Sequence, residues 1–380
     1  MKKRLLESSD VAVIAAIVLC VAAVLWWMRS NPIDFTSLDT GGISYPAGTV
    51  TEVISEDLEP TPYDSSRRWG SQELRVRIED GELAGQEVEI HNEVNDTHNI
   101  ICEAGTRVVV RLESQEGLEP YFSIYNYNRG LGILGLVLVF AAFMVAVGRT
   151  KGLRSLIGLS FAIFLIGCFM LPAFYHGYPV IPVTVGVALA ITVSSMTLLN
   201  GWSAKTRVSI LATISGILVA AVFYLAFSAI LHVGGYNMDA AEDLIFLRQR
   251  VNFQLSDILF TCVLISSLGA VLDMTMSVTT ALFEVKQVHP AATAKELFRA
   301  GMEMGQDMTG TMSTTLILAF AGSAITTLLS LLTYGTQVNQ LLNSDYLTLE
   351  LFQSLVGSIA VVLAVPLASA FSARAFVSRQ

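Results

Sequence analysis

Eight apolar runs dominate this chain, at about 11–28, 131–148, 154–171, 180–200, 208–232, 255–282, 308–333 and 351–376. Each is near the roughly 20 residues that an α-helix needs to cross a bilayer. Lipid offers the backbone no hydrogen-bond partner, so a spanning segment must satisfy its own N–H and C=O groups, and a lone span does so only as a helix. Of the 380 residues, 53% are hydrophobic and 14% charged, which is far from the balance of a soluble domain. The expected fold is therefore a polytopic α-helical membrane protein of about eight transmembrane helices, with the lipid bilayer as its first partner. Lys2, Lys3 and Arg4 precede the first run as they would in a secretory signal. Trp26, Trp27 and Met28 then close it in place of small residues suited to cleavage, so residues 1–28 are expected to form a short cytoplasmic N-terminus and a retained anchor.

The basic residues predict an orientation. Arg149, Lys151 and Arg154 fall between runs two and three, Lys205 and Arg207 between four and five, and Lys286, Lys295 and Arg299 between six and seven. Arg374 and Arg379 close the chain. The alternate connections PAFYHGYP and YGTQVNQLLNSDYLTLE have no Lys or Arg, while the loop at 233–254 balances Arg248 and Arg250 against Asp239, Glu242 and Asp243. Lys and Arg concentrate in cytoplasmic loops, so both termini are expected inside a bacterial cell membrane.

Residues 29–129 differ in character. They hold 19 Asp and Glu against 8 Arg, a net charge of −11, whereas the whole chain carries −9. GTVTEVI, ELRVRIED, QEVEIHNE and TRVVVRLE alternate with strand periodicity, and Gly81, Gly85 and Gly105 punctuate them as turn residues. This predicts a small extracytoplasmic β-barrel, OB-like, inserted after the first helix and followed by a seven-helix bundle over 130–380. An acidic surface poor in aromatic residues does not suit nucleic acid. It suits a structural role, or docking of an envelope protein partner. His91, Asp96 and His98 lie close in sequence but match no metal-ligand spacing, so an ordinary polar loop is expected there and no metal or other cofactor. His176 and His232 stand near external helix ends. Cys20, Cys168 and Cys262 fall in apolar runs and only Cys102 in the acidic segment, so no intrachain disulfide framework is expected.

Two spans contain Asp-Met-Thr: Asp273-Met274-Thr275 and Asp307-Met308-Thr309. A carboxylate facing hydrocarbon costs about 2.5–3.5 kcal/mol, so an intramembrane Asp usually faces a bundle interior or a watery cavity. Spacings of three and four put Ser266, Asp273, Ser277, Thr280 and Glu284 on one helical face, and Asp307, Gly310, Thr311 and Thr314 on another. Gly310 and Gly322 are expected to admit a neighbouring helix closely, and the two acids to approach each other across the hairpin. Asp307, after Gly305 and Gln306, also has the position of a helix N-cap. Residues 293–304 have an amphipathic pattern, with Leu297, Phe298 and Met302 opposite Lys295, Glu296, Arg299 and Glu303, and predict a cytoplasmic interfacial helix. Thr192, Ser194, Ser195, Thr197 and Asn200 add a polar seam to run four, preceded by Pro179 and Pro182.

Carboxylates and hydroxyls arranged in this way suit an ion or proton path. The expected function is a secondary transporter or exporter of a small solute or ion, with Asp273, Ser277, Thr280, Asp307, Thr311 and Thr314 along the pathway. The alternative is a non-transporting scaffold acting through its β domain. No enzyme is expected: the chain has no Walker motif, nucleotide loop, Ser-His-Asp candidate or Cys cluster, and Met304-Gly305-Gln306-Asp307 departs from the Gly-x-Gly-Asp of intramembrane aspartyl proteases.

From residue 45 onward the chain resembles the YibE/F family of bacterial multi-pass membrane proteins. The resemblance is strongest in GAVLDMTMSVTTALFEV at 269–285 and GQDMTGTMSTTLILAFAG at 305–322, and TLLNGWSAKT supports it. Family members usually have Arg where this chain has Gln306, and Asn where it has Ser313. The resemblance implies an extracytoplasmic β domain followed by a helical bundle, and no established activity.

Overall fold

The computed structural model describes residues 8–33, 42–114, 119–236, 238, 241–249 and 251–377. Of the charges that set the expected orientation, Lys2, Lys3, Arg4, Asp239, Arg250 and Arg379 lie outside the described residues. The chain forms two compact units, Asp34–Phe143 and Met1–Ile33 with Met144–Gln380.

The first unit holds, besides the start of a helix at Gly130, a curled antiparallel sheet of β1 (Ile43–Ser44), β2 (Ala47–Pro60), β3 (Arg68–Ile78), β4 (Glu87–Val94), β5 (Arg107–Glu113) and β6 (Tyr121–Tyr127). β1 and β2 lie end to end along one edge of β5: Ile43 pairs with Glu113 and Gly48 with Val108 without a change of register. Pro46, which has no N–H for the ladder, marks the interruption between them. The core follows the alternation expected from the sequence. Val50, Leu74, Val76, Ile78, Ile90, Val108 and Val110 turn inward at 1% exposure or less. On the other face Arg75 pairs with Glu52 and Glu89, and Arg77 with Glu87 at 2.7 Å, so cross-strand arginines offset part of the acidic excess. Register shifts in β2 between Val50 and Ser55 add twist to the sheet. The expected barrel is a half-barrel: among the described residues no ladder joins β4 to β6. β6 is a strand that the sequence patterns left unassigned.

Seven helices are long and apolar enough to cross a membrane among the described residues. They are α1 (Ser8–Ser30), the segment Gly130–Tyr175, α4 (Val180–Asn200), α5 (Ala204–Leu231), α7 (Leu255–Val288), α8 (Ala294–Thr333) and α10 (Asp345–Val377). Gly130–Tyr175 consists of α2 (Gly130–Leu165), a π-helical turn (Ile166–Met170) and α3 (Leu171–Tyr175). It is also broken. Arg149 has φ 48° and ψ −128°, so the apolar runs at 131–148 and 154–171 lie on either side of a sharp turn. A Cβ at Gly152 would overlap the carbonyl oxygen of Met144, which is why the chain can fold back there only through glycine. Two short helices, α6 (Ala241–Arg248) and α9 (Val338–Leu342), occupy the connections before α7 and before α10.

Within the helical unit α10 packs against α5, α7 and α8. Ala360, Ala364 and Ala368 recur every fourth residue and are fully buried, the small-residue stripe that lets membrane helices approach closely. α1 docks through Trp27, whose ring lies 5.5 Å from that of Phe169, while Nε2 of His176 lies 3.1 Å from the carbonyl of Asn31.

Candidate functional site

Asp273 lines a cavity of about 370 Å³ between the second arm of α2, α4 and α7. The walls are mostly apolar, with Leu159, Ile191, Met196, Leu268 and Leu272 among them, and Ile166 contributes from the first residue of the π turn. The polar lining is sparse: Asp273, Ser155, Ser195 and Arg154. Asp273 is exposed into this space and makes no hydrogen bond or ion pair to another described residue. Arg154 is already engaged within the protein. A carboxylate on a long apolar helix is costly against hydrocarbon, and facing a cavity avoids that cost.

The rest of the α7 stripe behaves differently. Ser277 and Thr280 are half-buried on the same side of the helix as Asp273 but do not line the cavity, and Glu284 is exposed. The tightly packed hydroxyls of α7 are another set, Thr261, Thr275 and Thr279, off the stripe expected from the sequence. Thr275 pairs with Thr213 of α5 at 2.7 Å, Thr261 with Thr184 of α4 at 2.7 Å, and Thr279 receives a hydrogen bond from Ser372 of α10 at 3.4 Å. Of the α4 seam, Ser195 reaches the cavity, whereas Thr192, Ser194 and Thr197 donate to their own helix at Ala188, Ile191 and Val193.

Several expectations for α8 are overturned. Asp307 is not an N-cap: α8 begins at Ala294 and is capped by Thr293, whose hydroxyl accepts from the Glu296 N–H while Glu296 reaches back to the Thr293 N–H. The capping box at Thr293 starts the helix 14 residues before Asp307, so 293–304 is the first part of one continuous 40-residue helix and not a separate interfacial one. Its Leu297, Gly301 and Gly305 are buried. Gly310 and Gly322 face open space, and the close approach falls instead at Gly301, against Ser369 and Leu282, and at Gly305, against Val365. Asp307, Gly310, Thr311 and Thr314 are exposed on α8 and none lines the Asp273 cavity, so the structure does not bring the two acids into one site.

In the sheet unit His91 turns to Glu73, with Nδ1 at 2.6 Å from Oε1, while Asp96 accepts from the Tyr63 hydroxyl at 2.7 Å and from Trp69 Nε1 at 3.0 Å. The residues of the HNEVNDTHN segment therefore serve separate partners. Tyr63 and Trp69 form an exposed edge-to-face pair with centroids 5.6 Å apart, and the hydrogen bond to Asp96 pushes the Tyr63 phenol above its ordinary pKa. Asp64 is held below the usual carboxylate range by the hydroxyl and backbone N–H of Ser66.

The sequence motif at Gly201–Thr206 has a structural role. Ser203 caps α5 by accepting from the Thr206 N–H, and the Thr206 hydroxyl donates to the Gly201 carbonyl at 2.7 Å. Across the helical unit, the sequence model of the family described as YibE/F-like protein matches residues 136–378. No curated protein and no solved structure matches the chain.

Proposed function

We propose, for a chain that belongs to the YibE/F-like family, that the helical unit is a secondary transporter or exporter of a small solute or ion, with Asp273 as its binding or coupling acid. One observation carries this: the unpaired carboxylate of Asp273 opens into the cavity between α2, α4 and α7. In the proposed topology the turn at Arg149 separates two crossings, giving eight in all. Both termini are then cytoplasmic and the sheet unit, an OB-like domain, is extracytoplasmic. Arg154 and Leu199, near the inner ends of their helices, mark the cytoplasmic end of the cavity, and Asp273 takes and releases its ligand as access alternates. Ser277 and Thr280 extend the route along α7. Asp307, Thr311 and Thr314, which lie outside the cavity, are left out of it.

Reconstitution into liposomes with a panel of ions and solutes tests the proposal. Asp273→Asn is expected to reduce flux to the level of protein-free vesicles, and full flux in that variant removes the mechanism. The exposed Tyr63–Trp69 pair favours a second reading, a scaffold that docks an envelope protein through its sheet unit. Deleting about residues 45–120 separates the two, because a phenotype that follows the deletion and ignores Asp273→Asn supports the scaffold.

A further inference from the structure

We infer that the Asp273 cavity takes an organic monocation with an apolar body, in preference to a bare metal ion, an anion or a neutral solute; this rests on the transporter reading above. Charge sets the sign. Two ionisable side chains line the cavity; Arg154 has a partner within the protein, whereas Asp273 has none among the described residues, so the Asp273 carboxylate is the group left to meet a ligand's charge. The walls set the rest. A bare cation leaving water needs about six to eight oxygen ligands if it resembles calcium, or a near-complete octahedron if it resembles magnesium. This lining offers one carboxylate and the hydroxyls of Ser155 and Ser195. An ammonium group attached to hydrocarbon needs less: one carboxylate for its charge and apolar surface for its body. Leu159, Ile191, Leu268 and Leu272 supply that surface, and about 370 Å³ lies within the range of small-molecule sites.

The test is equilibrium binding of radiolabelled benzyltrimethylammonium to the purified full-length protein in detergent. Phenylacetate, N-benzylacetamide and sodium ion serve as competitors. Saturable binding is expected, displaced by unlabelled cation and not by the acid, the amide or sodium at equal concentration. Asp273→Asn should weaken it by about tenfold or more, and Asp273→Glu should recover part of the loss. Ala162→Phe, which fills the cavity and keeps the carboxylate, should also abolish binding and decides the matter if the Asp273 variants do not fold. Any of three results overturns the inference: no saturable binding up to about 10 mM, displacement by phenylacetate or sodium as effective as by the cation, or unchanged affinity in Asp273→Asn or Ala162→Phe. The two proposals fail separately. Binding without flux in liposomes removes transport and keeps the ligand class, whereas Asp273-dependent flux of an anion or metal ion without cation binding does the reverse.

Discussion

Replacing Gly305 by alanine should destabilise the helical unit, while the same change at Gly310, five residues along the same helix, should not. In a helix interior alanine is favoured over glycine by about 1 kcal/mol, and that gain applies at both positions. They differ in what a new methyl meets. At Gly305 it would overlap Val365 Cγ1 and lie 3.0 Å from Cγ2 and 3.1 Å from Cβ, whereas at Gly310 it meets nothing within 4 Å. Val365 cannot turn away cheaply, because both γ-methyls and Cβ crowd the position and valine is held to one main rotamer in a helix. Relief must come from moving α8 off α10. Overpacking of this kind costs about 1–3 kcal/mol, and the upper part of that range less the propensity gain leaves Gly305→Ala about 1–2 kcal/mol less stable than the parent. Gly310→Ala should be neutral or up to about 1 kcal/mol more stable.

Reversible unfolding of the full-length protein in mixed detergent and SDS micelles, followed by far-UV circular dichroism, measures both variants. A double-mutant cycle with Val365→Ala adds the specific check, since removing the γ-methyls should recover about 1 kcal/mol or more of the Gly305→Ala loss. If Gly305→Ala and Gly310→Ala were equally stable, α8 would not cross α10 at this point.

Two further predictions concern the sheet unit. Cys102 is 1% exposed, and burial pushes its thiol up to about 11, so with Cys102 as the sole cysteine the folded protein should react with maleimide at pH 8 more than about a hundredfold slower than the unfolded chain; labelling at the free-thiol rate refutes the burial. Because the folded value is the higher one, the unfolded chain loses its proton first, and stability from this group is full below about pH 8.5 and falls as pH rises toward 11. Gln72, 1% exposed, donates to the Cys102 carbonyl at 3.0 Å and accepts from its N–H at 2.9 Å, so Gln72→Leu strands two buried backbone groups. It should cost about 2–4 kcal/mol in the same unfolding assay, and a loss below about 0.5 kcal/mol would mean that the Gln72 bridge is dispensable.

The apolar runs, the strand alternation and the turn glycines were legible because each rests on local periodicity. Gly81, Gly85 and Gly105 all take positive φ, and ELRVRI buries every second residue. β6 escaped because YFSIYNY carries no clear alternation of apolar and polar residues. Packing on α8 was misassigned for another reason. Gly301 and Gly305, like Gly310 and Gly322, are small residues at helical spacing, and which pair meets a neighbour depends on where α10 crosses. The sequence of α8 does not contain that information. The amphipathic pattern of 293–304 does form helix, and the Thr293–Glu296 capping box starts it, but that helix runs on without a break through Asp307 to Thr333.

The repeated tripeptide shows the same limit at the candidate site. In α7, Asp273 opens into the cavity while Met274 and Thr275, at 0% exposure, face the packed interior, where Thr275 meets Thr213. In α8 the same three residues lack those neighbours: Asp307 is exposed, Met308 only half-buried, and the Thr309 hydroxyl turns back to the Gly305 carbonyl at 2.7 Å. A helix fixes the 100° between successive side chains and nothing about what stands beside them. Asp273 differs from Asp307 because α2 and α4 wall it in, and the hydroxyls that matter around it, Ser155 and Ser195, come from those two helices. Ser195 was legible as part of the polar seam of run four, whereas Ser155 stands in an apolar run and nothing along α7 or α8 points to it.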